Sequence, residues 1–457
     1  NYEVVLTEDK DHIIDLISSE LFKGIGEKKA SKIVETLGVD CLTLILENPN
    51  CLLEVETVTE KQKNIIYDSL LEYKSSYDKM LNLTKIGFSM KDALRIEKYY
   101  GSNVDVVLTS PYQMIGEVKD ITFSKIEKIR NKLDISIDDL DRVSAGIIYT
   151  FETISFRTGN TYFSYEEIIN FSKKLLGVEE SALTKGLSNL VKLGKIIIDD
   201  DKYILMDSYE SEKYIARRIA LLTRDFDDYG YEDEINNISE KLGCVFNKEQ
   251  KDAISSALRF NFSIITGGPG TGKTTIIKAI TSIYRDINKL SRKDLLESLV
   301  LLAPTGRASK RMSIEASLPS YTIHRFLKWQ KEEDTFLINE ENKSEAKIVI
   351  IDEASMLDNN LFYNLLLGLK PNCKIVMIGD SNQLPSVGAG QVLKDIIESD
   401  CTPVTYLKKL YRQDKHSNIN LLAHDIIEGK LDFSIFNESD DLTFIPCNKD
   451  NLKEKLE

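Results

Sequence analysis

Apolar residues recur along this chain in three rhythms, and each predicts a different kind of element. Up to about residue 145 they return every three or four positions in short bursts broken by glycine or proline, which predicts small helices. From Tyr162 the helical rhythm runs through TYFSYEEIINFSKKLLG and ESALTKGLSNLVKLG, each closing on glycine. GKIIIDDDKYILM, Gly194 to Met206, then reads as a β-hairpin over an Asp-rich turn. Two helices and a hairpin make a winged-helix-like unit, a shape that serves DNA and protein docking alike. A helical connector at Ser208–Leu222 and an acidic linker at Asp225–Glu234 follow. Beyond Phe246, helices alternate with five apolar runs: FSIIT (262–266), LVLLA (299–303), IVII (348–351), CKIVMI (373–378) and PVTYL (403–407). Such runs predict strands buried on both faces, hence a parallel α/β sheet. Four of the five end at a polar or glycine-rich motif. Parallel sheets bind ligands at the carboxyl ends of their strands, so the chemistry is expected on one edge.

Composition narrows the class. A length of 457 residues allows about three domains, and 42% hydrophobic with 29% charged residues is ordinary for a soluble globular protein. No apolar run approaches the roughly 18 residues of a membrane span. The opening NYEVVLTEDK has no signal or transit pattern, and its lack of methionine points to residues ahead of Asn1. Six cysteines never fall as CxxC, which excludes a zinc ribbon or redox motif and fits a reducing cytoplasm. The net charge of −14, from 59 basic against 73 acidic residues, argues at first against nucleic acid. Local basic clusters at Lys23–Lys32, Lys125–Lys132, Lys289–Lys293 and Arg307–Arg311 keep that partner open, because net charge speaks to solubility and non-specific association.

Candidate chemistry begins near the start. LFKGIGEKKASKIVETLG, Leu21 to Gly38, places a GIG turn between two short helical segments, with Lys23, Lys28, Lys29 and Lys32 around it. Glycines let the backbone fold sharply and turn N–H groups toward an anion. Gly24 and Gly26 are therefore candidate DNA-phosphate contacts of a helix-hairpin-helix. An ordinary helical hairpin fits the same residues. Two echoes, Asn48–Leu70 and Ser110–Leu133, share the rhythm without GxG and are expected to be structural.

GGPGTGKT, Gly267 to Thr274, matches the GxxxxGK[ST] phosphate loop and sits between a strand and a helix. The turn through Gly268, Pro269, Gly270, Thr271 and Gly272 faces nucleotide phosphates, and the helix through Thr275 adds its positive N-terminus. Lys273 is expected on the β- and γ-phosphates of ATP, and the Thr274 hydroxyl on Mg²⁺. In IVIIDEASMLD, Asp352 is placed to hold Mg²⁺ through water and Glu353 to orient and deprotonate an attacking water. FNKEQKDAI lies one helix ahead of the loop and places Gln250 to read the adenine edge. A GTPase is excluded, since the NKxD at Asn131–Asp134 lies upstream of the phosphate loop.

APTGRAS (303–309), TIHRFL (322–327), IGDSNQLPSVGAGQVLKD (378–395) and LKKLYRQ (407–413) follow in order. This set resembles the superfamily 1 DNA helicases of the RecD/TraA type. The front, with KIGFSMKDALRIEKYYG and SPYQMIGEV, is similar to the N-terminally extended RecD-like branch that acts without RecBC. The resemblance implies a RecA-like motor that couples ATP hydrolysis to 5′ to 3′ movement on single-stranded DNA. It implies Gln383 as γ-phosphate sensor, Arg412 as arginine finger and Asp380 as support for the metal and water. It places Pro304, Thr305, Arg307, Thr322 and His324 along the DNA strand, and a duplex-splitting β-hairpin within 328–347, where a surface loop also fits.

The expected organisation is helical at 1–145, winged-helix-like with its connector at 146–225, a first motor domain at 240–405, and the start of a second at 406–457. A full RecA-like lobe needs roughly 100 to 150 residues. The chain ends 45 residues after Arg412, so it reads as an N-terminal fragment that binds Mg·ATP but turns it over poorly. Expected partners are single-stranded DNA and duplex with a 5′ overhang, for a monomer without a membrane. A DNA-structure clamp with a regulatory ATPase and a partner-docking ATPase are the rival readings. DNA stimulation of the ATPase separates them.

Overall fold

The computed structural model describes residues 10–409 except 20, 21, 23, 105–107, 225, 332 and 333, with scattered residues between 418 and 455. The side chains of 12, 72–79, 81 and 102 are also outside this description. Contacts divide the chain into two units. One comprises 1–153 with 163–203, the other 154–162 with 204–457.

The first unit is mostly helical. Helices Lys10–Ile17 and Glu27–Leu37 flank the GIG turn and bury Ile13, Leu16, Ile17, Ile33 and Val34 between them and their neighbours. Gly24 takes φ +80°, a conformation that L side chains rarely adopt, while Gly26 caps the second helix from the extended region. The two echoes end differently: Leu52 and Val55 in the first, and Met114, Val118 and Ile121 in the second, are buried. Their turns are filled with apolar side chains, as a packing role requires.

A three-stranded sheet in the order β1-β3-β2 follows, from β1 (Tyr162–Ser164), β2 (Ile196–Asp199) and β3 (Lys202–Leu205). The hairpin turn uses Asp200 and Asp201, both at positive φ, as a tight turn between right-twisted strands demands. Helices Tyr165–Leu176 and Glu180–Lys192 pack beside it. Ser164 and Glu167 form a reciprocal capping box, so the helical rhythm starts three residues later than TYFSYEE reads, and Tyr162–Ser164 becomes a strand.

The second unit holds a six-stranded parallel sheet in the order β11-β4-β10-β9-β5-β6. Its strands are β4 (Phe262–Gly267), β5 (Leu299–Ala303), β6 (Ser320–Thr322), β9 (Ile348–Ile351), β10 (Lys374–Gly379) and β11 (Val404–Leu407). Five of these are the apolar runs legible in the sequence. Alternate residues serve two cores: Ile265, Leu301, Ile350 and Ile378 face helices Lys248–Arg259 and Lys273–Ile287. Phe262, Ile264, Leu302, Ile351 and Met377 face the opposite layer. That layer includes helix Asn359–Gly368 and helix Met206–Leu222, whose Ile215, Ile219 and Leu222 are buried on the sheet. The segment that reads as a connector is thus a packed layer of the second unit. Among the described residues no helix is long and apolar enough to cross a membrane.

Candidate functional site

Strand order explains how distant motifs meet. β4, β10 and β9 are adjacent, so their carboxyl ends bring the phosphate loop, Asp380 and the Asp352–Glu353 pair to one place. A cleft of about 440 Å³ opens there, lined by Lys273, Thr274, Asp352, Glu353 and Gln383. Pro269, Gly270, Gly272 and Thr275 also line it.

The loop is shaped by its own backbone. Gly270 and Gly272 take φ +84° and +88°, turning the chain so that helix Lys273–Ile287 starts with its N-terminus at the cleft. The buried Thr271 donates its hydroxyl to the Gly268 carbonyl at 2.9 Å. Lys273 Nζ donates to the carbonyls of Gly267 and Gly268 at 2.6 and 3.0 Å. Burial pulls its pKa below the ordinary lysine value, against the pull of Asp352, Asp380 and Glu353.

Gln250 is joined to the phosphate loop itself. It is buried, its Nε2 donates to the Thr271 carbonyl at 3.2 Å, and its Oε1 accepts from the Asn247 N–H at 3.2 Å. The amide ties the preceding helix to the phosphate loop, with one of its two donors and one of its two acceptor positions used inside the protein.

The carboxylates are distinct. Asp352 ends β9, its N–H donates to Leu302, and burial raises its pKa. Its Oδ1 accepts the Glu353 N–H at 3.0 Å. Glu353 sits at φ +53° ahead of a short 3₁₀ turn, an uncommon conformation of the kind that clusters at functional positions. Asp380 is buried at the end of β10, accepts from Asn382 at 3.0 Å and leads to the exposed Gln383.

Sequence reasoning missed two residues here. Thr274 Oγ1 donates to Glu315 Oε2 at 2.7 Å, and Arg311 Nε donates to the other oxygen of Glu315 at 3.0 Å. Both lie on helix Gly306–Ala316 and line the cleft. An Arg and a Glu four apart look like an ordinary surface pair, so no local signal marks them.

The proposed DNA-side residues gather on the same edge, at the ends of β5 and β6. Thr305 and Thr322 are helix caps: their hydroxyls accept from Ala308 and Arg325 at 3.3 and 3.2 Å. Pro304 lies beside Thr305, partly buried, while Arg307 and His324 are exposed. Within 328–347, β7 (Trp329–Gln330) and β8 (Thr335–Phe336) form an antiparallel pair. His324 lies 5.9 Å from the rings of both Trp329 and Phe336, giving a three-ring cluster at the hairpin base. In the other unit, a Cβ added at Gly24 or Gly26 meets nothing within 4 Å, so the GIG turn is open. Arg412 and Lys23 lie outside the described residues.

The residues of the cleft suit Mg²⁺ chemically. Thr274 and Asp352 offer hard oxygen donors beside a phosphate-loop lysine. Among the described residues no group of three or more His, Cys, Asp or Glu makes a metal site. A cation here would therefore be held together with nucleotide phosphates rather than by an all-protein cage.

Two stretches of the chain match known protein families. Residues 72–162 match a family described as "ATP-dependent RecD2 DNA helicase HHH domain", and residues 250–389 match one described as "AAA domain". The chain is 25% identical over 430 residues to the ATP-dependent RecD2 DNA helicase of Deinococcus radiodurans, covering 89% of this chain and 57% of that protein. It is 30% identical over 256 residues to the RecBCD enzyme subunit RecD of Haemophilus influenzae, covering 44% of this chain and 39% of that one. The chain thus spans 57% of the length of the first of these relatives and 39% of the second. Among solved structures, Pif1 helicase from Candida albicans aligns over 42% of this chain and 46% of that one, at 22% identity and TM-score 0.31, a likeness too weak to add to the assignment.

Proposed function

We propose, from the chain's place among the RecD-type superfamily 1 helicases, that it is the front and first motor lobe of an ATP-dependent DNA helicase. The movement proposed is 5′ to 3′ along single-stranded DNA. One observation carries the reading. A single sheet edge holds the phosphate loop, the Asp352–Glu353 pair and Gln383 around one cleft, with the ends of β5 and β6 beside it.

In this reading the loop backbone and the start of helix Lys273–Ile287 bind the phosphates of ATP, and Lys273 exchanges its carbonyl partners for phosphate oxygens. Thr274 and Asp352 would hold Mg²⁺, which when bound neutralises charge on the phosphates. Glu353 orients a water and takes its proton; Gln383, exposed at the cleft, contacts the terminal phosphate. Arg412 is proposed as the arginine finger. Arg307, His324 and the ring cluster line the strand, and Pro304 with the caps Thr305 and Thr322 fixes the loops that carry them. Gly24 and Gly26 present an open turn to a DNA phosphate.

Hydrolysis by the full-length protein with and without single-stranded DNA, and its strand separation on 5′-tailed, 3′-tailed and blunt duplexes, test this. Stimulation by single strands, a 5′-tail requirement, and loss of both activities in Lys273→Ala are expected. An ATPase indifferent to DNA refutes the reading.

A further inference from the structure

The Thr274–Glu315–Arg311 chain joins the phosphate loop to a helix that starts at the proposed DNA side. Thr274 opens the loop's helix, and Glu315 lies at the far end of helix Gly306–Ala316 from Thr305 and Arg307. A hydroxyl has one proton to donate and two lone pairs to offer. At Thr274 the proton is directed to Glu315 Oε2 at 2.7 Å. The oxygen's lone pairs are then left for another partner. The second carboxylate oxygen accepts from Arg311 at 3.0 Å, which fixes the rotamer of Glu315.

We infer that Glu315 is a positioning residue for the metal-bearing hydroxyl: it takes the Thr274 proton, turns the oxygen's lone pairs into the cleft, and adds a negative charge one bond behind them. This rests on the nucleotide-site reading above and adds a residue to it. Arg311 has a second effect. It lines the same cleft and interacts with Asp352 and Glu353, so as a bare cation it would compete with a divalent ion; Glu315 occupies it.

The test is binding of a fluorescent, non-hydrolysable ATP analogue to this chain, in EDTA and across a Mg²⁺ titration. Loss of an outer-shell partner typically costs 10- to 100-fold in metal affinity, so Glu315→Ala is expected to raise the half-saturating Mg²⁺ concentration roughly tenfold. Affinity in EDTA should stay within about twofold, because no metal is there to position. Glu315→Gln keeps an acceptor for the hydroxyl and loses only the charge, so it should show a smaller rise with EDTA affinity unchanged. Two results overturn the inference: a Mg²⁺ requirement unchanged in both variants, or an equal loss with and without metal, which marks a purely structural bond. Failure of the nucleotide-site reading itself looks different. It shows as Lys273→Ala binding the analogue as well as the parent chain does.

Discussion

Gln250→Ala separates two jobs that one glutamine can do. As it stands, the side chain makes two internal bonds at 3.2 Å, to the Thr271 carbonyl and from the Asn247 N–H, and it is 4% exposed. A net intramolecular hydrogen bond is worth about 0.5–1.5 kcal/mol, so the pair contributes about 1–3 kcal/mol. For a domain of this size each kcal/mol moves the melting temperature by about 2–4 °C, so a fall near 5 °C is expected. Loosening the Thr271 carbonyl also frees the phosphate loop to sample conformations that do not bind. That penalty is the same whatever base the nucleotide carries. Thermal melts, with equilibrium titrations of fluorescent ATP and GTP analogues, measure both. Lower melting temperature and equal weakening for ATP and GTP support the loop-tie role. An unchanged melting temperature with preference for ATP over GTP lost would refute it, because the amide would then be reading the base.

Other perturbations test separate parts. Gly390 sits at φ +95°, and an added Cβ would lie 2.1 Å from Asn359 Oδ1. Gly390→Ala should therefore displace Asn359 from Glu212 and cost about 2–4 kcal/mol in chemical denaturation, backbone strain contributing about 1–3 of it; a change under about 0.5 kcal/mol, the range of neutral surface substitutions, would refute the clash. Burial pushes the Lys374 ammonium down to about 8. A depressed base favours the fold above its unfolded pKa, and that contribution is lost as pH falls through about 8. Lys374→Met should thus stabilise by about 1–3 kcal/mol at pH 7, with the gain fading toward pH 10.5, and a pH-independent difference would count against it. In the full-length protein, Trp329→Ala removes the exposed ring of the hairpin cluster, and stacking of about 1–3 kcal/mol predicts roughly tenfold slower strand separation with DNA-stimulated hydrolysis retained. Loss of both activities together would argue against a separating role. This substitution is cleaner than removing 332–345, because Phe336 and Ile338 pack against the motor core.

How much was legible depended on whether a signal was local. Buried parallel strands write themselves as continuous apolar runs, so β4, β5, β9, β10 and β11 were readable. The phosphate loop and the Asp352–Glu353 pair sit where such runs stop, which made them readable too. Strand β6 is only Ser-Tyr-Thr, and its pairing with β5 supplies what its composition does not. Helix Met206–Leu222 looks like a connector because only Ile215, Ile219 and Leu222 on one face reveal the sheet beneath. The loop contact of Gln250 and the cleft contact of Glu315 were hidden for a common reason. Their partners, Thr271 and Thr274, lie 21 and 41 residues away, and nothing in either local pattern names a distant hydroxyl or carbonyl.

Charge shows the same limit and resolves the acidic total of −14. Counted along the sequence, Arg307–Arg311 is one basic cluster for a DNA backbone. In the fold Arg307, Lys310 and Arg311 are all exposed, but Arg311 also lines the nucleotide cleft and donates to Glu315 at 3.0 Å. Lys125 in another cluster is paired with the buried Asp92 at 2.7 Å, and Lys293 lies 3.9 Å from Glu297. Runs of lysine and arginine therefore overstate the positive surface available to phosphates. Each phosphate contact adds to affinity and to its salt dependence, so every cation held in an ion pair lowers what its patch can contribute to binding a nucleic-acid backbone. Under the proposed helicase reading, a strand gripped at one step must be released at the next, and cations shared with carboxylates favour that release over a uniformly basic face.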